Sequence, residues 1–175
     1  LALAASTLSA KDWPQWRGPE RNGVSREVGL AREWPAAGPP LVWTATGLGA
    51  GYGTVAVAGG RAYVQSLRGG RSMVHAINLA DGTYLWSKNL GAGATNDRGS
   101  GPRGTPTVDR DRLYVLTEAG DLACLLADNA TVVWQRNILR DFNGNNINWL
   151  ISESPLVDGD RVIVTPGGPK AAMVA

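Results

Sequence analysis

A chain of 175 residues with 43% apolar and 18% charged side chains is long enough and apolar enough to bury a core, which excludes intrinsic disorder. Its net charge of +2, with acids and bases interspersed, argues against a nucleic-acid partner, and no apolar run reaches the roughly 18 residues of a membrane-spanning helix. One cysteine, Cys124, and one histidine, His75, exclude an intramolecular disulfide and any cage of Cys or His ligands around a metal.

The chain begins with LALAASTLSA, small and apolar, before Lys11 and Asp12. This stretch resembles the tail of a secretory signal peptide, so residues 1–11 are expected to be a signal tail or an N-terminal arm. Residues 12–40 are rich in Trp and Pro and read as a lead-in strap. The rest is residues 41–175; over the whole sequence 23 Gly and 10 Pro, with 7 Trp against one Phe, suit short strands and tight turns rather than long helices.

A period organises that remainder. VAGGRAYV at 57–64, VDRDRLYV at 108–115 and VDGDRVIV at 157–164 superimpose without gaps, 51 and then 49 residues apart. Trp43, Trp86 and Trp134 follow at 43 and 48. A strand-rich period near 50 residues marks a β-propeller, in which each repeat is a blade of four antiparallel strands. Within each repeat a short strand ends near Val57, Val108 or Val157. A two-residue turn follows at Gly59-Gly60, Arg110-Asp111 or Gly159-Asp160, where Gly and Asp tolerate positive φ. Second and third strands follow, then the phrase ADGTYLW at 80–86, which recurs as ADNATVVW at 127–134. In the first copy Asp81-Gly82 turns the chain into the fourth strand. In the second, Ala130 replaces the glycine, and Asn129 is expected to take the left-handed conformation with a shifted register. Each Trp is placed to fill the gap against the next blade; a buried Trp covers about 150–250 Å², several kcal/mol as an upper value. Helices are expected to stay under about two turns.

These residues resemble the pyrroloquinoline-quinone-type β-propeller repeat, whose blade reads Ala-Leu-Asp-x-x-Thr-Gly-x-x-x-Trp. AINLADGTYLW, residues 76–86, matches it, and CLLADNATVVW, residues 124–134, is a worn copy. DWPQWRGPERNGVS at 12–25 is similar to the lead-in of bacterial members, and SESPLVDGDRVIVTPGG at 152–168 to their third blade. The resemblance implies an all-β propeller of about 8 blades and roughly 380 residues when complete. This chain is then a fragment with a closing strand at 41–46, blades at 54–89 and 105–137, and an incomplete blade at 154–175. In such rings the N-terminal strand completes the last blade.

Ligands of propellers gather over the central channel, at the loops leading into the inner strands. Here those are GLGAGYGT (47–54), NDRGSGPRGT (96–105) and NNINWLISES (145–154). They offer Tyr52, Asp97, Arg98, Arg103, Trp149 and Glu153. Arginines facing a carboxylate above an aromatic floor suit an anionic or quinone-like ring, and satisfied polar contacts in a wet channel are the plainer alternative. DFNGNN at 141–146 has oxygen ligands at alternate positions, but its Gly is fourth and Ser152 stands twelfth, where a calcium loop wants Gly sixth and Glu twelfth. The Gly-rich GLGAGYG has no helix after it and does not make a phosphate loop. His75 reads as a packed strand residue and Cys124 as buried and inert.

Two functions are compatible with the resemblance. One is a non-catalytic scaffold or accessory subunit on the periplasmic or extracellular face of the cell envelope, of the kind found in outer-membrane assembly machinery. It would contact other proteins through Tyr52, Arg103, Trp149 and Glu153. The other is a quinoprotein dehydrogenase, which the resemblance would equip with pyrroloquinoline quinone, calcium, a catalytic Asp and a vicinal Cys pair. Cys124 stands alone, so the expectation is a scaffold without cofactor.

Overall fold

The computed structural model describes residues 11–175; the signal-tail reading falls on residues outside that range, Lys11 excepted. Ten strands and one short helix follow one another as two four-stranded sheets and the start of a third. The first sheet is β1 (Ala56–Ala58), β2 (Arg61–Arg68), β3 (Arg71–Asn78) and β4 (Tyr84–Ala92), each hydrogen-bonded to the next. The second repeats the plan with β5 (Thr107–Asp109), β6 (Arg112–Leu116), β7 (Asp121–Leu126) and β8 (Val132–Asn137). A short helix, α1 (Ile138–Phe142), precedes β9 (Leu156–Asp158) and β10 (Arg161–Ile163). All strand pairs are antiparallel, and the sheets are blades of an open propeller.

The registers carry the repeat into three dimensions. Val64 pairs with His75, and Val115 with Ala123. Val164 pairs with Val174, so the third blade has begun the same ladder. The core lies between blades rather than within one. Tyr63, Val74, Ala76 and Leu90 of the first blade meet Leu113, Val115, Ala123 and Leu125 of the second. Leu116, Leu122 and Ile138 then meet Ile151 and Val164. Strands with apolar residues on alternate positions present one face to each neighbour, which is why a blade needs both.

The helix α1 has five residues, held at its start by the Asn137 side chain accepting from the Arg140 amide and ended by Asn143 in the left-handed conformation. The DFNGNN stretch is therefore a helix end. Asp141 belongs to α1 and pairs with Arg140 at 3.3 Å, and the Asn146 amide donates to the Glu118 carbonyl.

Two local expectations are corrected. Ala130 itself takes the left-handed conformation, with φ 58°, in the place of Gly82 with φ 73°. Asn129 instead accepts from the Thr131 amide through its side chain, as Asp81 does from Thr83. The turn keeps its register. At the β5–β6 turn the left-handed residue is Arg110, φ 54°, rather than Asp111; Gly59 and Gly159 occupy the same place in the other blades.

Residues 41–46, expected as a closing strand, make no ladder among the described residues. Trp43 is nevertheless docked. Its indole N–H donates to the Leu79 carbonyl at 2.8 Å, and a Cβ on Gly82 would lie 2.6 Å from its ring. Trp86 donates to Ala127 at 3.3 Å. Leu79 in the β3–β4 turn and Ala127 in the β7–β8 turn are the same position of successive repeats, so both tryptophans bind the next blade's third-to-fourth-strand turn in one way. Trp134 packs on Tyr114 as Trp86 packs on Tyr63, with ring centroids 6.2 and 6.0 Å apart. It is 37% exposed, with no third-blade turn against it among the described residues.

The lead-in strap proves to be a staple. Trp13 exchanges both backbone hydrogen bonds with Val57, at 2.8 and 2.9 Å. The Val108 amide donates to the Pro14 carbonyl at 2.8 Å, and the Arg21 guanidinium donates to the Val157 carbonyl. Val57, Val108 and Val157 are the repeat positions that align in sequence. One short segment thus crosses the free edges of the three inner strands β1, β5 and β9.

Candidate functional site at the channel mouth

The inner strands approach one another through small residues at their starts. A Cβ on Gly53 would strike the Gly104 carbonyl, and one on Gly104 would strike the Glu153 carbonyl. The hydroxyls one residue later form a chain: Thr54 Oγ1 and Thr105 Oγ1 lie 2.5 Å apart, and the Thr105 amide donates to Ser154 Oγ at 2.8 Å. GT, GT and ES are one motif in three blades. Only this spatial stacking reveals it, since Glu153 disguises the third copy.

The loops above these strands place the candidate residues. Tyr52 is fixed by its amide, which donates to the Pro102 carbonyl at 2.7 Å, and its ring lies over Gly99. Arg103 stacks on that ring, its guanidinium carbon 5.2 Å from the centroid. The same guanidinium donates to the carbonyls of Gly101 (3.1 Å), Arg98 (3.4 Å) and Gly99 (2.8 Å). Arg103 therefore clasps the 96–103 loop. Glu153 does not meet it: its carboxylate accepts from the Thr165 amide at 2.7 Å and from the Thr165 hydroxyl. Of the expected group, the fold brings Tyr52 and Arg103 together and sends Glu153 into the third blade. Asp97 and Arg98 are exposed on the loop. The Asn96 amide ties that loop to the Asn148 carbonyl at 2.6 Å, beside Trp149. Tyr52 and Trp149 stay 63% and 49% exposed.

His75 is fully buried between Ser66 and Ser87, 2.8 Å from each hydroxyl. Ser66 donates its proton to the Leu48 carbonyl, so its oxygen accepts from Nε2–H, and Nδ1 accepts from Ser87. Burial, with the Arg68 charge adding to it, holds the imidazole below its ordinary pKa. Cys124 is buried, and burial raises its thiol above the usual range. Both are structural.

The family model described as outer membrane protein assembly factor BamB matches residues 24–173. The chain belongs to this family. No curated protein sequence matches it. Among solved structures, the fold is similar to a quinohemoprotein alcohol dehydrogenase from Comamonas testosteroni, with a TM-score of 0.59 and 24% identity over 87% of this chain and 23% of that one. It is also similar to BamB from Moraxella catarrhalis, with a TM-score of 0.56 and 14% identity over 80% of this chain and 39% of that one. A second quinohemoprotein alcohol dehydrogenase, from Pseudomonas putida, gives 0.53 and 22% over 71% and 18%. The chain thus spans well under half of each, and at these identities the likeness is one of fold.

Because two of these proteins are named quinohemoproteins, the fit of a quinone with its cation is a question for the residues. No group of three or more His, Cys, Asp or Glu able to hold a cation occurs among the described residues. Arg103 is occupied by loop carbonyls and Glu153 by Thr165. No helix among the described residues is long and apolar enough to cross a membrane.

Proposed function

We propose that this chain forms part of a non-catalytic propeller that binds other proteins in the cell envelope, working without a bound quinone or metal. The observation that carries the reading is the division of labour at the channel mouth. The charged residues that a small ligand would need are hydrogen-bonded within the chain, whereas Tyr52 and Trp149 are left exposed. Large rigid aromatics are enriched among the residues that dominate protein interfaces. Membership of a family described as an outer-membrane assembly factor supports an envelope partner.

The test is affinity purification from envelope extracts, comparing the parent with Tyr52→Ala and Trp149→Ala. A partner retained by the parent and lost from both variants supports the scaffold. Calorimetry with pyrroloquinoline quinone and calcium is the opposing arm. Micromolar binding abolished by Arg103→Ala would replace the scaffold with a quinoprotein.

A further inference from the structure

The strap does more than cross three blades, because it leaves a groove beside itself. Residues Gln15, Trp16, Arg17 and Arg21 of the strap, with Arg103, Thr107 and residues 152–156, line a cavity of about 460 Å³. A second cavity of about 240 Å³ meets it at Gln15, Arg21 and Thr107 and continues past Val108 to Arg110 and Gly159. Together they form an elongated trough along the strap, open to solvent.

The trough is cationic. Arg17, Arg21 and Arg103 make no ion pair among the described residues. Their hydrogen bonds go to neutral oxygens. Arg17 donates to the Asn22 carbonyl, Arg21 to the Gln15 side chain and the Val157 carbonyl, and Arg103 to three loop carbonyls. A guanidinium offers five N–H groups, so Arg17 and Arg21 keep donors free as well as their charge. Two carboxylates share the lining. Glu153 accepts from Thr165, and Asp109 lies 3.9 Å from Arg110.

Backbone strain marks the same residues. Arg17, Arg21 and Arg110 are three of the six non-glycine residues with positive φ among the described residues. At the Arg110 position the other two blades use Gly59 and Gly159. Only the second blade carries an arginine there, in a conformation that L side chains rarely adopt.

We propose that the strap groove is a docking trough for an extended acidic segment of a partner protein, whose carboxylates are taken by Arg17, Arg21 and Arg110, with Arg103 held by its own loop at one end. The elongated, open shape suits a polypeptide strand rather than an enclosed small molecule. The unneutralised guanidiniums supply the charge complementarity, bidentate to carboxylate where geometry allows. The indole of Trp16, more than half exposed at the rim, offers an apolar contact. This inference rests on the scaffold reading and names the chemistry of its partner.

Fluorescence anisotropy of labelled octaglutamate on the whole chain tests it. Saturable binding is expected at low salt, weakened at least about tenfold by raising salt towards 0.5 M. The pair Arg17→Gln with Arg21→Gln should weaken binding about tenfold or more, and Arg110→Gln severalfold. Because Arg21 also holds the strap, Arg110→Gln, on an exposed turn, keeps the test independent of folding. Arg136→Gln on the outer strand β8 should bind as the parent does. The inference is overturned if octalysine binds as well as octaglutamate, if Arg110→Gln and the double variant bind unchanged, or if citrate competes as well as the peptide, which would make the trough a small-anion pocket. An envelope partner that binds a chain indifferent to octaglutamate would sink this inference and leave the scaffold standing.

Discussion

Trp86 of the first blade donates its indole N–H to the carbonyl of Ala127, in the β7–β8 turn of the second, and Tyr63 donates its hydroxyl to that same oxygen at 3.2 Å. One carbonyl thus takes two donors from a neighbouring sheet, and burial raises the Tyr63 phenol above its ordinary pKa. The contact joins an apolar wedge to a directional bond, so it sets the distance between blades as well as covering their faces.

Trp86→Ala should destabilise the chain by about 3–5 kcal/mol, as large core truncations do. Trp134→Ala should cost clearly less, since Trp134 is 37% exposed and meets no third-blade turn among the described residues. Trp86→Phe, which mainly removes the N–H bond, should cost about 1–2 kcal/mol. Urea unfolding of the three variants checks the order; equal costs for Trp86→Ala and Trp134→Ala would refute the docking scheme.

The left-handed turn offers a reciprocal pair. Gly82→Ala places a methyl against the Trp43 ring and should destabilise by about 1–3 kcal/mol. Ala130→Gly relieves an alanine held at φ 58° and should stabilise by about 0.5–1 kcal/mol. Thermal melts of both are sufficient, and a stabilising Gly82→Ala would contradict the packing of Trp43.

His75 makes stability sensitive to acid. Its folded pKa is lowered, so the unfolded chain binds the proton more readily. The contribution is present above about pH 6.5 and is lost as pH falls from there towards the folded pKa. The melting temperature should drop between about pH 7 and pH 5, and His75→Gln should flatten that part of the curve. An unchanged slope in the variant would assign the acid sensitivity elsewhere.

Arg103 is expected to act first on its own loop. Arg103→Ala removes three bonds to carbonyls and the stack on Tyr52. Hydrogen exchange should quicken across residues 96–103 while β6 and β7 stay protected. Protection lost evenly across the second blade would show a global role instead.

The blade plan was readable because it is a covariation of simple signals. Val57, Val108 and Val157 stand at one beat, turn residues follow them, and a Trp closes each phrase. Those signals fix strand order, register and the inter-blade place of Trp86. The mouth was read less well. Tyr52 and Arg103 do meet, yet the Arg103 stack serves the loop and Glu153 turns to Thr165, since a carboxylate takes the nearest free amide and hydroxyl on folding. Ala130 was misjudged because the tertiary turn outweighs an alanine's local preference. The sequence marks residues 12–40 as a strap, but where it docks was not legible, for another reason. Its contacts are backbone bonds to Val57 and Val108, and backbone bonding across long separations leaves no mark on residue identity.

Those strap bonds also bear on the order in which the described residues come together. Arg21 and Val157 are 136 positions apart, whereas β2 and β3 are joined by a tight turn. Each blade can form from local hairpins, but the strap finds all its carbonyls only after three blades stand side by side. The late step carries the loop-closure entropy of the longest span in the chain. The strap therefore settles only once β1, β5 and β9 are side by side, and its release on unfolding is expected to precede the loss of either four-stranded blade.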